Sequence, residues 1–473
     1  MVRYPLINQH AVVLDAGLDG LLTARVLVDY FSAVTVVTAG TLPAEPALPQ
    51  DVWQALPAHV LAVQGYRNLE RLFPGLTAEL MVARAPTVEW TADAPLLLPG
   101  GWGPRFHSDL ISRPVTLNLL LHLIRKRLIE YSGDRITFLE QRQIAGLEHN
   151  PALSGVRLHR QDDRTLETLP ADLVVDAAGR RTQLPDWLLE AGYPLPQQTI
   201  NGQEEWLAVG LYRRPPGFQP GWQALVILPQ PGSPGAVLMP VEQGHWLVML
   251  TGCDGDPPHD RTRFLDAARE LPTPALYEAI RHALPLTPVF SLSEASAVRW
   301  HFERLLHWPD HLLVTGVAAF AFYPALGLDL TAATLAALIL REALEEQRKQ
   351  RPDGGLAGLH RRFQSRLSRS LALNWRILCA GERDDRVARL TRRYVHGWLA
   401  AACSDTQMLH NLLLAAGLVV PLRSLMKPAL LRQSLRPAAE SGVINELPPA
   451  FEPERVHKTI TQELAAVARL EDP

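Results

Sequence analysis

One short stretch near the N-terminus restricts the fold more than any other: Ala11-Val12-Val13-Leu14-Asp15-Ala16-Gly17-Leu18-Asp19-Gly20-Leu21-Leu22-Thr23-Ala24-Arg25. An unbroken apolar run, a glycine-bearing turn and then a helical apolar period read as a buried parallel strand followed by its crossover helix. In the G-x-G-x-x-G form of this turn, bare glycine backbone lets N–H groups close on a pyrophosphate at the helix N-terminus. Here Gly17 and Gly20 hold the second and third glycine places, and Asp15 stands in the first. A carboxylate at that point repels the anion the turn is shaped to grip.

The rest of the pattern weakens in the same direction. A second strand should end in an acidic residue about 20 positions past the glycines, where it accepts hydrogen bonds from ribose hydroxyls. The strand Ala33-Val34-Thr35-Val36-Val37 is in place, but the next residue is Thr38. Its hydroxyl meets at most one ribose oxygen and is neutral. By itself the glycine pattern is weak, and its simpler reading is an ordinary tight βα turn.

Five segments in a fixed order make the pattern specific. They are Val12 to Arg25, Ser112-Arg113-Pro114, Ala171-Asp172-Leu173-Val174-Val175-Asp176-Ala177-Ala178-Gly179-Arg180, Leu313-Val314-Thr315-Gly316-Val317-Ala318, and Pro324-Ala325-Leu326-Gly327-Leu328-Asp329-Leu330-Thr331 ahead of a long apolar helix. Through them the chain resembles the FAD-dependent aromatic-hydroxylase-like monooxygenases, the 2-polyprenyl-6-methoxyphenol hydroxylase-like family. The resemblance implies an α/β fold with a Rossmann-like dinucleotide-binding domain over residues 1–190 and 298–350. An antiparallel-sheet substrate domain is expected over 191–297 and a C-terminal helical region over 351–473.

It also implies FAD contacts that this chain has partly lost. Relatives carry Gly-Asp where this chain has Gly316-Val317, and Gly-x-Gly where it has Gly327-Leu328-Asp329. Gly17, Gly20, Arg113, Asp176, Gly179, Gly316 and Pro324 are retained. Each lost hydrogen bond to a buried ribose or ribityl group removes about 1–3 kcal/mol. The two added carboxylates, Asp15 and Asp329, oppose phosphate in a partly dry cleft. The resemblance thus implies vestigial cofactor positions at Gly17, Gly20, Thr38, Asp176 and Gly316, which hold FAD only if it binds through altered contacts. Simpler roles stand beside these: Asp329 as N-cap of the helix that follows, and Asp15 as a turn residue bonding nearby amides.

Composition fits a large apolar core, with 473 residues, 47% of them hydrophobic and 20% charged. The net charge of −3 leaves no electrostatic footprint for nucleic acid. Cys253, Cys379 and Cys403 lie far apart without a C-x-x-C, so no disulfide framework or zinc ribbon is expected. No histidine spacing suggests a metal. The first strand begins without a signal-peptide layout, and the apolar stretch Leu412 to Leu422 falls well short of the roughly 20 residues that span a bilayer. A cytoplasmic protein is expected.

Short strands over Glu204 to Leu250, bounded by Pro and Gly, predict the antiparallel sheet. Tyr212, Trp222, Met239 and Trp246 on it are expected to line a pocket for a large apolar substrate. Three functions follow. In the first, FAD is lost and the cleft shapes a polyketide- or terpenoid-like chain for cyclisation, pericyclic reaction or isomerisation. There Asp15 or Asp329 is a general acid and Arg113 a cationic donor. Cyclases among relatives lend this analogy. In the second, FAD binds and the protein is a hydroxylase or epoxidase. In the third, it is a non-catalytic carrier or partner subunit.

Overall fold

The computed structural model describes residues 7–50, 63–149, 153–230, 232–253, 255–323, 327–378, 386–420, 425, 446–449 and 451. Its centre is a five-stranded parallel sheet of β1 (Ile7–Leu14), β2 (Phe31–Val37), β3 (Ile136–Leu139), β4 (Leu173–Asp176) and β5 (Leu312–Val314), in the order β5-β4-β1-β2-β3. Ala11, Val12, Val13 and Leu14 are all fully buried, as a middle strand covered on both faces demands. Leu14 pairs with both Val37 and Asp176, and Asp176 with Val314, so four strands end level with one another. Ligands of open parallel sheets bind beyond that carboxyl edge.

Two helices frame the edge. α1 (Leu18–Leu27) follows β1, and α2 (Asp329–Gln350), in which Ala332, Ala333, Ala336 and Ala337 are buried, packs against it. A further helix spans Leu117–Ser132, its N-cap Thr116 accepting from the Leu119 amide. Three antiparallel strands, Arg142–His149, Leu153–Arg160 and Leu166–Pro170, form a separate small sheet.

The large antiparallel sheet is built from Gln198–Arg213, Leu225–Ile227, Gly235–Val241, His245–Gly252 and Phe290–Trp300. At one edge it takes in Phe320–Ala321, and at the other Leu96–Leu98 and Gly101–Trp102. Those two short strands come from the part of the chain that the sequence assigns to the dinucleotide domain.

Side-chain alternation splits the sheet into two apolar faces. On one, Tyr212, Trp222, Leu238, Trp246 and Leu250 pack beneath the helices Arg261–Arg269 and Ala275–Ile280. Val209, Leu211, Val241, Leu247 and Met249 form the other. Tyr212, Trp222 and Trp246, expected to line a pocket, lie in this apolar layer between the sheet and the two helices. Met239 is fully buried as well. Periodicity marks such residues as inward-facing but does not say which of two inward faces they serve.

The C-terminal helices Leu359–Leu378, Arg386–Ala402 and Thr406–Ala416 close the structure. Gln364 Nε2 donates to the Val314 carbonyl at 2.8 Å and Trp375 Nε1 to the Ala321 carbonyl at 2.9 Å, so the first of them ties off both sheets. Leu409 and Ala402 bury Leu98 and Phe106. The expectation of helix to the chain's end lies, past these elements, mostly outside the described residues, as do Pro324 and Cys379.

Phe264 is fully buried with its ring 6.0 Å from that of Tyr212. Phe264→Ala is expected to cost about 3–5 kcal/mol, seen as a lower urea midpoint at unchanged slope. A loss under 1 kcal/mol would show that this helix pair is not integral to the sheet.

Candidate functional site

Four aspartates converge where the strands end. Asp15 follows β1 directly and adopts φ +84°, the left-handed conformation for which the expected glycine is normally needed. Aspartate is among the few side chains that tolerate it. The turn therefore keeps its glycine shape without its glycine. Asp15 donates its own N–H to the Val37 carbonyl at 2.8 Å, and its Oδ2 accepts from the Gly17 amide at 3.2 Å. At Gly20 a β-carbon would stand 1.9 Å from the Asp15 carbonyl oxygen, so only glycine lets the helix sit this close.

Asp19, which the sequence reading did not single out, is the centre of the site. It lies in the first turn of α1, is 7% exposed, and its Oδ2 accepts from the Val317 amide at 3.1 Å. Its other oxygen, Oδ1, is buried without a hydrogen-bond partner. Across from it, Gly316 at φ +49° presents bare backbone, and a β-carbon there would fall 1.7 Å from that oxygen. The Asp19 carboxylate thus fills the hollow that Gly316 leaves. Its signal in the sequence was an acid beside Gly20, at a helix position that packing turns inward.

Asp176 ends β4 fully buried, accepting from the Ala178 amide at 2.9 Å and from the Thr182 hydroxyl. Asp329 accepts from the Phe322 amide at 2.8 Å and forms an ion pair with Arg180 at 2.9 Å. It is the first residue of α2, with Leu328 in the cap position and no side-chain cap bond. The N-cap role expected for Asp329 is therefore corrected: its carboxylate turns to Arg180, which also donates to the carbonyls of Ser296 and Phe322.

The electrostatics follow from burial. Loss of solvent pushes the Asp19 carboxyl up to about 7, against the pull of the Val317 amide and with reinforcement from Asp329, Asp15 and Asp176. Burial likewise raises Asp176 to about 6, opposed by its bonds from Thr182 and Ala178. Asp15 is also raised by burial, and the Arg181 charge is the largest effect opposing it.

The other expected residues sit differently. Arg113 Nη1 donates to the Ala85 carbonyl at 3.3 Å, and its own carbonyl accepts from the Tyr66 phenol. That places it beside Tyr66 rather than in the carboxylate group. Thr38 is buried and ties β2 to β3, its N–H donating to the Leu139 carbonyl at 2.9 Å. Gly17 is the N-cap of α1 and Gly20 lies within its first turn.

FAD would need this edge for its diphosphate, and the residues present do not fit one. The Gly17 and Val317 amides already donate to carboxylates, the Gly316 hollow is filled, and four acids repel a further anion. Among the described residues no cluster of His, Cys, Asp or Glu is placed to hold a metal ion, and no helix is long and apolar enough to cross a membrane.

Two outcomes test this site. A carboxyl with a higher pKa folded than unfolded holds its proton more tightly in the native state, so its stabilising effect is full below about pH 4 and is lost as pH rises to 7. Asp19→Asn removes that dependence, and its stability relative to the parent should grow by about 2–3 kcal/mol between pH 5 and pH 8 in urea titrations. A constant difference across that range would refute the shift. Gly316→Ala should destabilise by at least about 2 kcal/mol, and combining it with Asp19→Ala should recover part of the loss. Additive losses would mean the two residues do not share one space.

No family model matches the chain. Protein Rv3254 of Mycobacterium tuberculosis (strain ATCC 25618 / H37Rv) is 30% identical over 354 residues, which are 72% of this chain and 73% of that protein. Among solved structures, a flavoprotein/dehydrogenase from Cytophaga hutchinsonii is similar with a TM-score of 0.65 at 11% identity, covering 90% of this chain and 96% of its own. CmlS, a flavin-dependent halogenase, gives 0.62 at 12% identity over 85% and 74%. The myxobacterial chondrochloren halogenase CndH, a variant of FAD-dependent halogenases, gives 0.59 at 14% over 89% and 99%. At these identities the likeness to solved structures is one of fold.

Proposed function

We propose, from the premise that this chain belongs to the family of Protein Rv3254 and has the flavin-monooxygenase fold, that it works without FAD as a non-redox enzyme. The observation that carries this reading is the Asp19 carboxylate seated on the Val317 amide in the hollow beside Gly316. A diphosphate and that side chain compete for one space and one donor.

The chemistry left to such a site is proton transfer and substrate positioning. Asp15, half-buried at the rim of the cluster with its carboxyl raised by burial, is the proton donor in this reading. Asp19 and Asp176 lie behind it, and Asp19 is within reach of its charge. Asp329 is committed to Arg180 and the Phe322 amide and serves position rather than proton transfer. Arg113, tied to Ala85 and Tyr66, takes no part in the proton path.

A cyclase or isomerase acting on a large apolar polyketide- or terpenoid-like chain suits this chemistry, because neither reaction consumes an oxidant or a reductant. With Tyr212, Trp222 and Trp246 in the core, that substrate class rests on the fold and the lost redox machinery, not on an aromatic lining. The second reading, an FAD-dependent hydroxylase or epoxidase with altered contacts, is favoured by the flavin enzymes that share the fold.

Colour and thermal shift decide between them. The purified protein should be colourless, and 100 μM FAD should leave its melting temperature unchanged, since a ligand that binds only the native state must raise it. Stoichiometric flavin released on denaturation would establish the second reading. Turnover of an apolar precursor without NADPH or oxygen should fall at least 10-fold in Asp15→Asn, with the loss concentrated in kcat. Absence of any such turnover would favour a carrier.

A further inference from the structure

We propose that Asp19 is a built-in substitute for a nucleotide phosphate, and that removing its carboxylate reopens a site for a pyrophosphate-bearing nucleotide. This rests on the reading that the parent protein does not take up FAD.

Several independent features of the backbone point to an anion at this place. The turn after β1 directs the Gly17 amide inward, the N-terminus of α1 carries the positive end of its dipole toward the same point, and no side chain caps that helix. From the other side, the Val317 amide faces it beside a glycine held at positive φ. At Gly316 a β-carbon would fall 1.7 Å from Asp19 Oδ1, so the absence of a side chain there is what leaves room for a charged group beside the Val317 amide.

The occupant fits that anion site imperfectly. Asp19 meets the Val317 amide with one oxygen while the other is buried without a partner, although the residue is more than nine-tenths enclosed. A side chain selected as an ordinary core or cap residue would satisfy both oxygens. A carboxylate that takes one donor and leaves its second oxygen in the hollow beside Gly316 stands for part of a larger anion. Asp15 takes the remaining donor, the Gly17 amide, from within the same turn. Both acids come from one six-residue segment, Asp15 to Gly20, so two substitutions suffice to empty the slot. Truncation to Asp15→Gly and Asp19→Ala restores a glycine where φ is +84° and frees both amides.

The experiment uses the full chain with ADP as the probe, in equilibrium dialysis and thermal shift. The parent should show no binding at 1 mM ADP, and the Asp15→Gly/Asp19→Ala variant should bind at least 10-fold more tightly than that limit and melt higher with ADP. Asp19→Asn, which keeps the space filled and the Val317 bond, should behave as the parent. A folded double variant with parent-like circular dichroism and no ADP binding overturns the proposal, as does Asp19→Asn binding ADP as well as the double variant. Should the double variant fail to fold, the single Asp19→Ala variant empties the Oδ1 volume and frees the Val317 amide, and lack of ADP binding by that folded variant overturns the proposal. FAD binding by the parent would sink the proposed function instead, so the two failures are distinct.

Discussion

The N-terminus of α1 and the turn after β5 face each other across a gap of one carboxylate, and the site is determined by what bridges it. Backbone donors converge there from both sides because the parallel strands end level and their connections turn at the same height. Such donors cannot be left dry and unpaired. In this chain the bridge is Asp19, a residue of the helix itself, whose carboxylate accepts a hydrogen bond from the Val317 amide in the turn. The carboxyls of Asp19 and Asp176 are raised first by burial at this edge, with neighbouring acids adding to it.

Much of the fold was legible because its signals are local. The β1 run, the glycines and the helical period after them specify a strand, a turn and a helix within fifteen residues. The strands of the antiparallel sheet show in their alternation and in the Pro and Gly that bound them. Leu96–Leu98 was missed because an isolated three-residue strand at a sheet edge carries almost no periodicity, and its partner Leu225–Ile227 lies far along the chain.

The candidate site was legible in part. Asp15 and Asp329 stood out because glycine was expected at both. Asp19 did not, since no local rule says that a first-turn acid faces inward, and aspartate there ordinarily favours the dipole from the solvent side. Only the tertiary approach of Gly316 makes it an occupant. The aromatics Tyr212, Trp222 and Trp246 gave a strong signal for burial, and they are buried, but alternation along a strand does not say whether a buried ring packs under helices or faces a cleft.

The edge strands Leu96–Leu98 and Gly101–Trp102 carry a consequence for the whole molecule. They belong by sequence to the dinucleotide half, hydrogen-bond into the substrate sheet, and are sealed beneath Ala402 and Leu409 of the C-terminal helices. Three regions that read as separate along the chain are thereby stitched through one seam. Loosening this seam would weaken the hold of each region on the other two.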